Sequence, residues 1–221
     1  MLADILPPKV AVRELRGDPP GVPHHPQETV HVASALPQRR AEFITGRHCA
    51  RQALRVLGVQ PVPIPKGDRG APVWPAGVTG SITHCAGYRG AAVALRSDVL
   101  ALGVDAEPNE PLPEGVLRTI GLPSEHAMLS ALPAHRGIAW DRLLFSAKES
   151  VYKAWFPLTG EWLDFLEAEL TIDADAHGFS ARLLVRGPVV DGVRWSTLRG
   201  RFTVRDGILL TAVAEPSVSG R

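Results

Sequence analysis

The sequence has only two cysteines among 221 residues, which excludes a small fold held together by several disulfides. It also has no run near the ~20 apolar residues that a membrane-spanning helix requires. The N-terminus, "MLADILPPKVAV", has an early Asp and a Pro pair where a signal peptide needs a basic start and an unbroken apolar run. We therefore expect a cytoplasmic protein with reduced thiols and no membrane partner.

An excess of charge of one sign is also missing, since the formal net charge is +1. Nucleic-acid-binding proteins usually present a strongly basic surface, so we expect no nucleic-acid partner. Hydrophobic residues make up 45% of the chain, which is long enough to bury one large core or two small ones. Any anion must then be bound by a local cluster of basic side chains.

The two His-Cys pairs, His48-Cys49 and His84-Cys85, contain residue types that bind zinc. Adjacent side chains point apart on both helices and strands, however, so neither pair is suited to hold one ion. Partly buried, reduced cysteines are the better interpretation.

Two stretches predict long helices, residues 39–57 and about 138–156, the second ending before Pro157. The first forty residues are Pro-rich and predict irregular structure, and the Pro- and Gly-rich stretch 61–81 predicts a long ordered loop.

Strand-like segments follow each predicted helix. "SITHCAGYRGAAVAL" and "VLALGVDAE" each predict a strand, and the C-terminal part is rich in further strands, with Asp206-Gly207 as a hairpin turn. One long helix followed by strands in each half predicts an α+β protein of two similar subdomains, residues 1–103 and 104–221.

The strand in "VLALGVDAEP" ends in two carboxylates. Side chains alternate across a strand, so Leu100, Leu102 and Val104 face the core while Asp105 and Glu107 emerge together on the other side. Oxygen ligands on a rigid edge suit a hard cation such as Mg²⁺. Taken alone, such a pair is more often a solvated strand end.

The helix in "LLFSAKESVYKAWFPL" carries Lys148, Glu149 and Lys153 among apolar and aromatic residues. Glu149 and Lys153 are four residues apart and therefore share one face. A surface ion pair is the alternative, but the aromatic neighbours favour a lined site. Glu149 could complete a cation site with Asp105 and Glu107, and the two lysines could bind the phosphate oxygens that the cation bridges.

The remaining basic residues suit an extended polyphosphate ligand. Arg47, Arg51 and Arg55 form an i, i+4 series on the first helix, although such a series is usually a polar helix face. In "KGDRG", residues 66–70, glycines would let a ligand approach the backbone closely. This stretch does not match a P-loop, so ATP hydrolysis is not predicted.

Three blocks, in this order and at this separation, resemble the signature blocks of 4'-phosphopantetheinyl transferases: "WPAGVTGSITHCAGYRGAAVA", "GVDAE" and "FSAKESVYKAW". More narrowly they resemble the surfactin/enterobactin-synthetase type, which modifies carrier proteins of secondary metabolism, including polyketide and nonribosomal peptide synthesis. "KGDRGAPVWP" and "RRAEFITGRHCAR" resemble the bacterial branch that includes the mycobacterial type II enzyme. The matching region runs from about Arg39 to Trp162.

The resemblance implies a monomer of two α+β halves related by a pseudo-twofold axis, with coenzyme A bound in the cleft between them. Asp105, Glu107 and Glu149 would hold Mg²⁺, with Mn²⁺ as the alternative. The implied contacts with the 3'-phosphoadenosine and pyrophosphate groups come from Arg39, Arg47, Lys66, Gly67, Asp68, Arg69, Thr83 and His84, with Arg40 or Arg51 as alternatives to Arg39. Lys148 and Lys153 would complete the phosphate clamp, and the channel for the pantetheine arm would be lined by Tyr152, Trp162 and Phe165.

The implied reaction transfers the phosphopantetheine arm from coenzyme A to a serine hydroxyl of an apo acyl or peptidyl carrier protein and releases adenosine 3',5'-bisphosphate. A serine hydroxyl is a poor nucleophile, so a base must take its proton. Glu149 is the first candidate, and Glu107 or a cation-bound water is the alternative. Lys153 would stabilise or protonate the leaving phosphate.

Two other functions remain open from the residues alone. One is a Mg²⁺-dependent hydrolase of the pyrophosphate in coenzyme A or a nucleotide, because the same carboxylates would serve water as well as serine. The other is a non-catalytic module that binds coenzyme A or a carrier protein. The intact set of Asp105, Glu107, Glu149 and Lys153 favours an enzyme over a binding module.

Overall fold

The computed structural model describes residues 1–190 and 192–217. Helices and strands are mixed along the chain, which confirms the α+β class. The α-helices are α1 (Pro26–Thr29), α2 (Pro37–Val56), α3 (Val116–Ile120), α4 (Pro123–Ala131) and α5 (Trp140–Thr159). None of these described helices has both the length and the apolar character needed to cross a bilayer.

The strands form two main antiparallel sheets and one short strand pair. The strands are β1 (Ala11–Arg16), β2 (Val78–Cys85), β3 (Tyr88–Leu95), β4 (Val99–Pro108), β5 (Ala168–Asp173), β6 (Gly178–Leu183), β7 (Val189–Val190), β8 (Val193–Arg194), β9 (Thr197–Arg205) and β10 (Ile208–Pro216). The first sheet has the order β1-β3-β2 and the second has the order β4-β10-β9-β6-β5, while β7 pairs with β8.

The two long helices and the two sheets enclose three apolar cores. Helix α2 packs on the first sheet, and Leu54 of the helix and Val93 of the sheet belong to one buried apolar cluster. The two sheets share a second core that contains Tyr88 and Leu210. Helix α5 packs on the second sheet, where Leu144 lies in the third core. Each long helix is therefore fixed by the apolar face that it buries on its own sheet.

Three expectations about local structure need correction. The first forty residues contain strand β1, which pairs with β3 as the edge of the first sheet. "SITHCAGYRGAAVAL" is a hairpin of two strands and not a single strand. Helix α5 continues through Pro157 to Thr159, because a proline in the last turn removes only one hydrogen bond. Gly160, with φ of 71°, then ends the helix and donates from its amide to the carbonyl of Phe156.

The seam between the sheets runs along β2 and β4. The amide of Val104 donates a hydrogen bond of 3.0 Å to the hydroxyl of Ser81 across this seam. Strand β4 pairs with β10 along its length and so belongs to the second sheet. The expected subdomain boundary at residue 103 falls inside that strand, whereas the turn between β3 and β4 separates the two sheets.

Candidate active site

Helix α5 lies directly on strand β4 because residue 103 is a glycine. A Cβ atom at Gly103 would lie 1.9 Å from the carbonyl oxygen of Ser150, which no side chain can tolerate. This close backbone contact brings the helix turn that carries Glu149 and Lys153 beside the strand that carries Asp105. The distant helix and strand therefore meet at the predicted site.

Asp105 is the centre of a buried hydrogen-bond network. Lys153 Nζ donates to its Oδ1 at 2.6 Å and also to the carbonyl of Val104 at 3.3 Å. Ser146 Oγ donates to Asp105 Oδ2 at 2.8 Å. Thr83, which we expected to contact coenzyme A, is buried and donates to Asp105 Oδ1 at 3.4 Å. Thr83 thus links the first sheet to the carboxylate on the second.

Glu149 is half-buried, and its side chain makes no hydrogen bond with any residue in the described part of the chain. Burial raises the pKa of its carboxyl above the ordinary value; the charge of Asp105 raises it further, and Lys153 opposes the shift. Glu149 is therefore close enough to Asp105 and Lys153 to feel both charges, while its oxygens are left available for a ligand.

Glu107 lies at the far end of the same strand and forms an ion pair with Arg142. Arg142 Nη1 is 2.9 Å from Glu107 Oε2, and the guanidinium also donates to the carbonyls of Glu110 and Pro111. Burial raises the pKa of Glu107, as does the charge of Asp105, and Arg142 opposes this shift. Sequence reasoning missed Arg142, although its position seven residues before Glu149 places it near the same face of α5.

The carboxylates suit a divalent cation by chemical type. Oxygen ligands are what Mg²⁺ prefers, and a cation would relieve the repulsion that Asp105 imposes on Glu107 and Glu149. In the described ranges, however, no group of three His, Cys, Asp or Glu side chains stands at metal-binding spacing. Lys153 and Arg142 already neutralise Asp105 and Glu107, so a cation would have to displace or share these partners.

Lys148 occupies a different place from the one expected for a phosphate contact. Its side chain is only 2% exposed, and Nζ forms an ion pair of 2.9 Å with the buried Glu125. It also donates to the carbonyls of Phe165 and Ala168, at 2.5 and 2.8 Å. An ammonium group has three N–H donors. All three have protein acceptors here, which corrects the expected phosphate contact to a structural one.

Arg39 and His84 form a polar cluster on the first half. A guanidinium can only donate, so Arg39 Nη1 donates to His84 Nε2, which must be unprotonated. The ring proton of His84 therefore lies on Nδ1, which faces Glu42. Burial, and then the charge of Arg39, lowers the pKa of His84 to about 4. The ring is therefore neutral at pH 7. Glu42 also pairs with Arg39 and, at 3.4 Å, with the buried Arg89.

The other arginines of α2 are committed to the protein interior. Arg47 is buried, its Nε donates to the carbonyl of Ile64 at 2.9 Å, and its guanidinium lies 3.3 Å from the ring centre of Phe43. Burial lowers the pKa of Arg47 to about 10. Arg51 forms an ion pair with the buried Glu28.

The side chain of Arg40 is also bonded to the protein, since it donates to the carbonyls of Val32 and Ala33. Of the three arginines considered for one contact, Arg39 is the one whose side chain is directed to the cluster around His84.

The loop at residues 66–70 makes a tight turn. The amide of Gly67 donates to the carbonyl of Ala71, and Arg69 adopts a left-handed conformation with φ of 50°. Lys66, Asp68 and Arg69 are exposed. The guanidinium of Arg69 lies 5.2 Å from the ring centre of Trp162, so this loop of the first half contacts the second half across the cleft.

Two cavities lie beside helix α5, the first within the second half and the second between the halves. The first has a volume of about 190 Å³ and is lined by Lys148, Glu149, Tyr152, Trp162, Leu163, Asp164, Phe165 and Ala168. The second has a volume of about 250 Å³ and is lined by Arg69, Gly70, Ala71, Pro72, Gly80, Ser81, Ile82, Glu149, Tyr152, Lys153, Phe156 and Pro157. Glu149 and Tyr152 line both cavities and therefore mark their junction.

Aromatic residues form much of the wall of the first cavity. Tyr152 lies between Phe156 and Trp162, with ring centres 5.7 and 4.9 Å away, and Phe165 stacks on Phe145 at 5.8 Å. The hydroxyl of Tyr152 is buried and has no hydrogen-bond partner in the described part of the chain. A buried hydroxyl without a partner is costly, so a ligand in this cavity would be expected to bond it.

Two family models match the chain. The model described as 4'-phosphopantetheinyl transferase N-terminal domain matches residues 25–94. The model described as 4'-phosphopantetheinyl transferase superfamily matches residues 101–190. The gap between the two matches coincides with the turn between β3 and β4.

Two of the curated relatives match over nearly the whole chain, and a third matches part of it. The chain is 53% identical to 4'-phosphopantetheinyl transferase Svp of Streptomyces mobaraensis, over 100% of this chain and 91% of that protein. It is 50% identical to 4'-phosphopantetheinyl transferase PptT of Mycobacterium tuberculosis, over 96% of this chain and 97% of that protein. Enterobactin synthase component D of Salmonella typhi is 38% identical over 60% of this chain and 53% of that protein.

Proposed function

The chain belongs to the 4'-phosphopantetheinyl transferase family, and from this premise we propose how its residues carry out the reaction. The enzyme transfers the phosphopantetheine arm from coenzyme A to a carrier protein. The acceptor group is a serine hydroxyl of an apo acyl or peptidyl carrier protein, including carriers of polyketide and nonribosomal peptide synthesis. Adenosine 3',5'-bisphosphate is the leaving product.

The position of Glu149 at the junction of the two cavities is the observation that carries this proposal. The phosphorus that is attacked lies between the pantetheine arm and the bisphosphate. We assign the arm to the first cavity, beside Tyr152 and Trp162, and the pyrophosphate to the second, beside Lys153 and Arg69. A base that serves this phosphorus must stand where the two cavities join, and Glu149 does.

The nucleotide end of coenzyme A is assigned to basic groups of the first half. Arg39, oriented by His84, and the exposed Lys66 and Arg69 supply cations for the 3'-phosphate and pyrophosphate. The backbone of Gly67 and the side chain of Asp68 lie in the same loop. Thr83 and Arg47 act indirectly, because Thr83 holds Asp105 and Arg47 holds the carbonyl of Ile64.

The serine proton passes to Glu149. The carboxylate oxygens of Glu149 have no hydrogen-bond partner in the described part of the chain, so they are available to accept this proton. The serine oxygen forms a bond to the phosphorus that carries the arm, and the bond from that phosphorus to the bridging pyrophosphate oxygen breaks. Lys153 stabilises the negative charge that remains on the bisphosphate. Glu107 is the weaker candidate base because Arg142 pairs with it.

We propose Mg²⁺, with Mn²⁺ as the alternative, as the ion that Asp105, Glu107 and Glu149 hold. When bound, the ion neutralises charge on the pyrophosphate. Lys153 and Arg142 keep the two strand carboxylates paired in its absence. A single copy of the chain provides both sides of the cleft, which supports a monomer, and two free cysteines support a cytoplasmic location.

The proposal is tested by incubating an apo carrier protein with coenzyme A, Mg²⁺ and the enzyme and measuring the intact mass of the carrier. Mass gain by one phosphopantetheine group on the serine supports transfer. A parallel incubation without carrier measures release of adenosine 3',5'-bisphosphate, which a hydrolase would produce and a transferase should not. If the chain binds coenzyme A but the carrier stays unmodified, the result would refute a transferase and support a non-catalytic binding module.

The role of Glu149 is tested by Glu149→Gln, which keeps the size of the side chain but removes its basicity. We expect kcat to fall by roughly 10²- to 10⁴-fold, the usual contribution of a general base. The matched control is Glu114→Gln, an exposed carboxylate in the loop before α3, which should leave kcat unchanged. A nearly normal kcat in Glu149→Gln would show that another group acts as the general base.

A further inference from the structure

Lys148 and Glu125 form a buried ion pair that the proposed mechanism does not use. Their side chains are 2% and 0% exposed, and Nζ lies 2.9 Å from Oε1. The carboxylate also accepts the backbone amides of Leu122 and Leu170, each at 2.7 Å. Both charged groups are therefore almost completely buried, and each donor of the ammonium group has a protein acceptor.

The pair joins three parts of the second half. Glu125 lies on α4, Lys148 lies on α5, and Lys148 donates to the carbonyls of Phe165, just before strand β5, and Ala168, its first residue. At the other end of this segment, Trp155 Nε1 donates to the carbonyl of Glu161 at 3.0 Å. Helix α5 thus anchors residues 161–168 at both ends.

The anchored segment is one wall of the first cavity. It contributes Trp162 and Phe165, and the ring of Trp162 lies 4.9 Å from that of Tyr152. Between the two anchors lies a short 3-10 turn, Phe165–Glu167, in which the side chain of Asp164 accepts from the amide of Leu166 and that of Glu167 accepts from the amide of Asp164. The hydrogen bonds from Lys148 therefore tie the C-terminal end of this wall directly to helix α5.

We propose that the Lys148–Glu125 pair is a positioning device that sets the 161–168 wall and thereby controls recognition of the pantetheine arm. This inference rests on the proposed function, because it takes the first cavity as the site of the arm. The pair is far less important for the bisphosphate end, whose assigned contacts come from Lys153 and the first half. Removing it should weaken binding of the arm selectively.

A comparison of two ligands tests this selectivity in the full-length chain. The ligands are coenzyme A, which has the arm, and adenosine 3',5'-bisphosphate, which lacks it, with dissociation constants measured by titration calorimetry. For Lys148→Met we expect the dissociation constant of coenzyme A to rise by at least ~10-fold, because a displaced wall loses close contacts with the arm. The value for the bisphosphate should stay within about 2-fold, below 0.5 kcal/mol by the usual conversion.

Two further variants keep the test decisive. Glu125→Gln removes the charge but keeps a side chain of the same size, and it should produce the same selective loss of coenzyme A affinity at smaller amplitude. It replaces Lys148→Met in the comparison if that variant does not fold. Lys9→Met removes an exposed ion pair with Asp98 and should leave the dissociation constants of both ligands unchanged. Circular dichroism confirms which variants are folded.

The outcomes separate this inference from the proposed function. Equal weakening of both ligands, or no weakening of coenzyme A in a folded variant, overturns the positioning role. Failure of the unaltered chain to bind coenzyme A would instead overturn the assignment of the cavities. Selective loss for coenzyme A in both Lys148→Met and Glu125→Gln supports the positioning role.

Discussion

Replacing Gly103 by alanine should separate helix α5 from strand β4 and disable the site. The added Cβ would lie 1.9 Å from the carbonyl oxygen of Ser150, against an ordinary contact of 3.4 Å or more. It would also lie 2.6 Å from the amide nitrogen of Ala154. These are backbone atoms, so no side-chain rotation can relieve the overlap. The helix has to move away by about 1 Å or more, because protein interiors are already close-packed.

The size of the effect follows from this displacement. Overpacking a core usually costs ~1–3 kcal/mol, and a clash between backbones should lie at the upper end of that range. For a domain of this length, ~3 kcal/mol corresponds to a fall in Tm of about 6–12 °C. Glu149 and Lys153 move with the helix, and a misplacement of ~1 Å can lower the rate by about 100-fold.

Chemical unfolding and the carrier-modification assay measure the two effects separately. The matched control is Gly178→Ala in strand β6, where the nearest atom would be the carbonyl oxygen of Gly200 at an ordinary 3.5 Å. Gly178→Ala should retain the Tm and the kcat/KM of the unaltered enzyme. If Gly103→Ala had the Tm and the kcat/KM of the unaltered enzyme, the close helix–strand contact would not be what places the two charged residues.

Two other substitutions give predictions of different kinds. Lys153→Ala should lower kcat for carrier modification more than it raises KM for coenzyme A, and a change confined to KM would reassign Lys153 to ground-state binding. The folded chain lowers the pKa of His84 from 6.5 to about 4, so between these pH values the unfolded chain binds a proton that the folded chain does not. The free energy of unfolding, measured with urea, should therefore fall as the pH drops through this window. His84→Gln should show a smaller fall. Equal falls in the two proteins would contradict the lowered pKa of His84.

Local sequence patterns were sufficient to find the charged groups of the site. Alternation along a strand put Asp105 and Glu107 on one side, and the spacing of four put Glu149 and Lys153 on one helix face. Neither pattern says that the helix meets the strand, because their contact joins residues more than forty positions apart. Gly103 was the local sign of that contact, but a glycine inside a strand can equally mark a bulge or a tight bend.

The errors have the same long-range origin. Lys148 looked like a phosphate ligand because its partner Glu125 lies on another helix, and a buried lysine and an exposed one are identical in sequence. Strand β1 was missed because its polar edge residues have no clean alternation, and it is stabilised by pairing with β3 about eighty residues away. Arg142 pairs with Glu107, which lies 35 residues earlier in the chain.

The two lysines of helix α5 can now be distinguished by geometry. Five residues separate Lys148 from Lys153, and at 3.6 residues per turn this places them about 140° apart around the helix. Lys153 shares a face with Glu149 and reaches Asp105 at the seam between the halves, whereas Lys148 points into the second half toward Glu125. One helix thus directs one ammonium group to Asp105 at the seam and the other to the backbone that forms a wall of the first cavity. Changes at Lys153 should therefore act on the rate of transfer, and changes at Lys148 on the affinity for the arm.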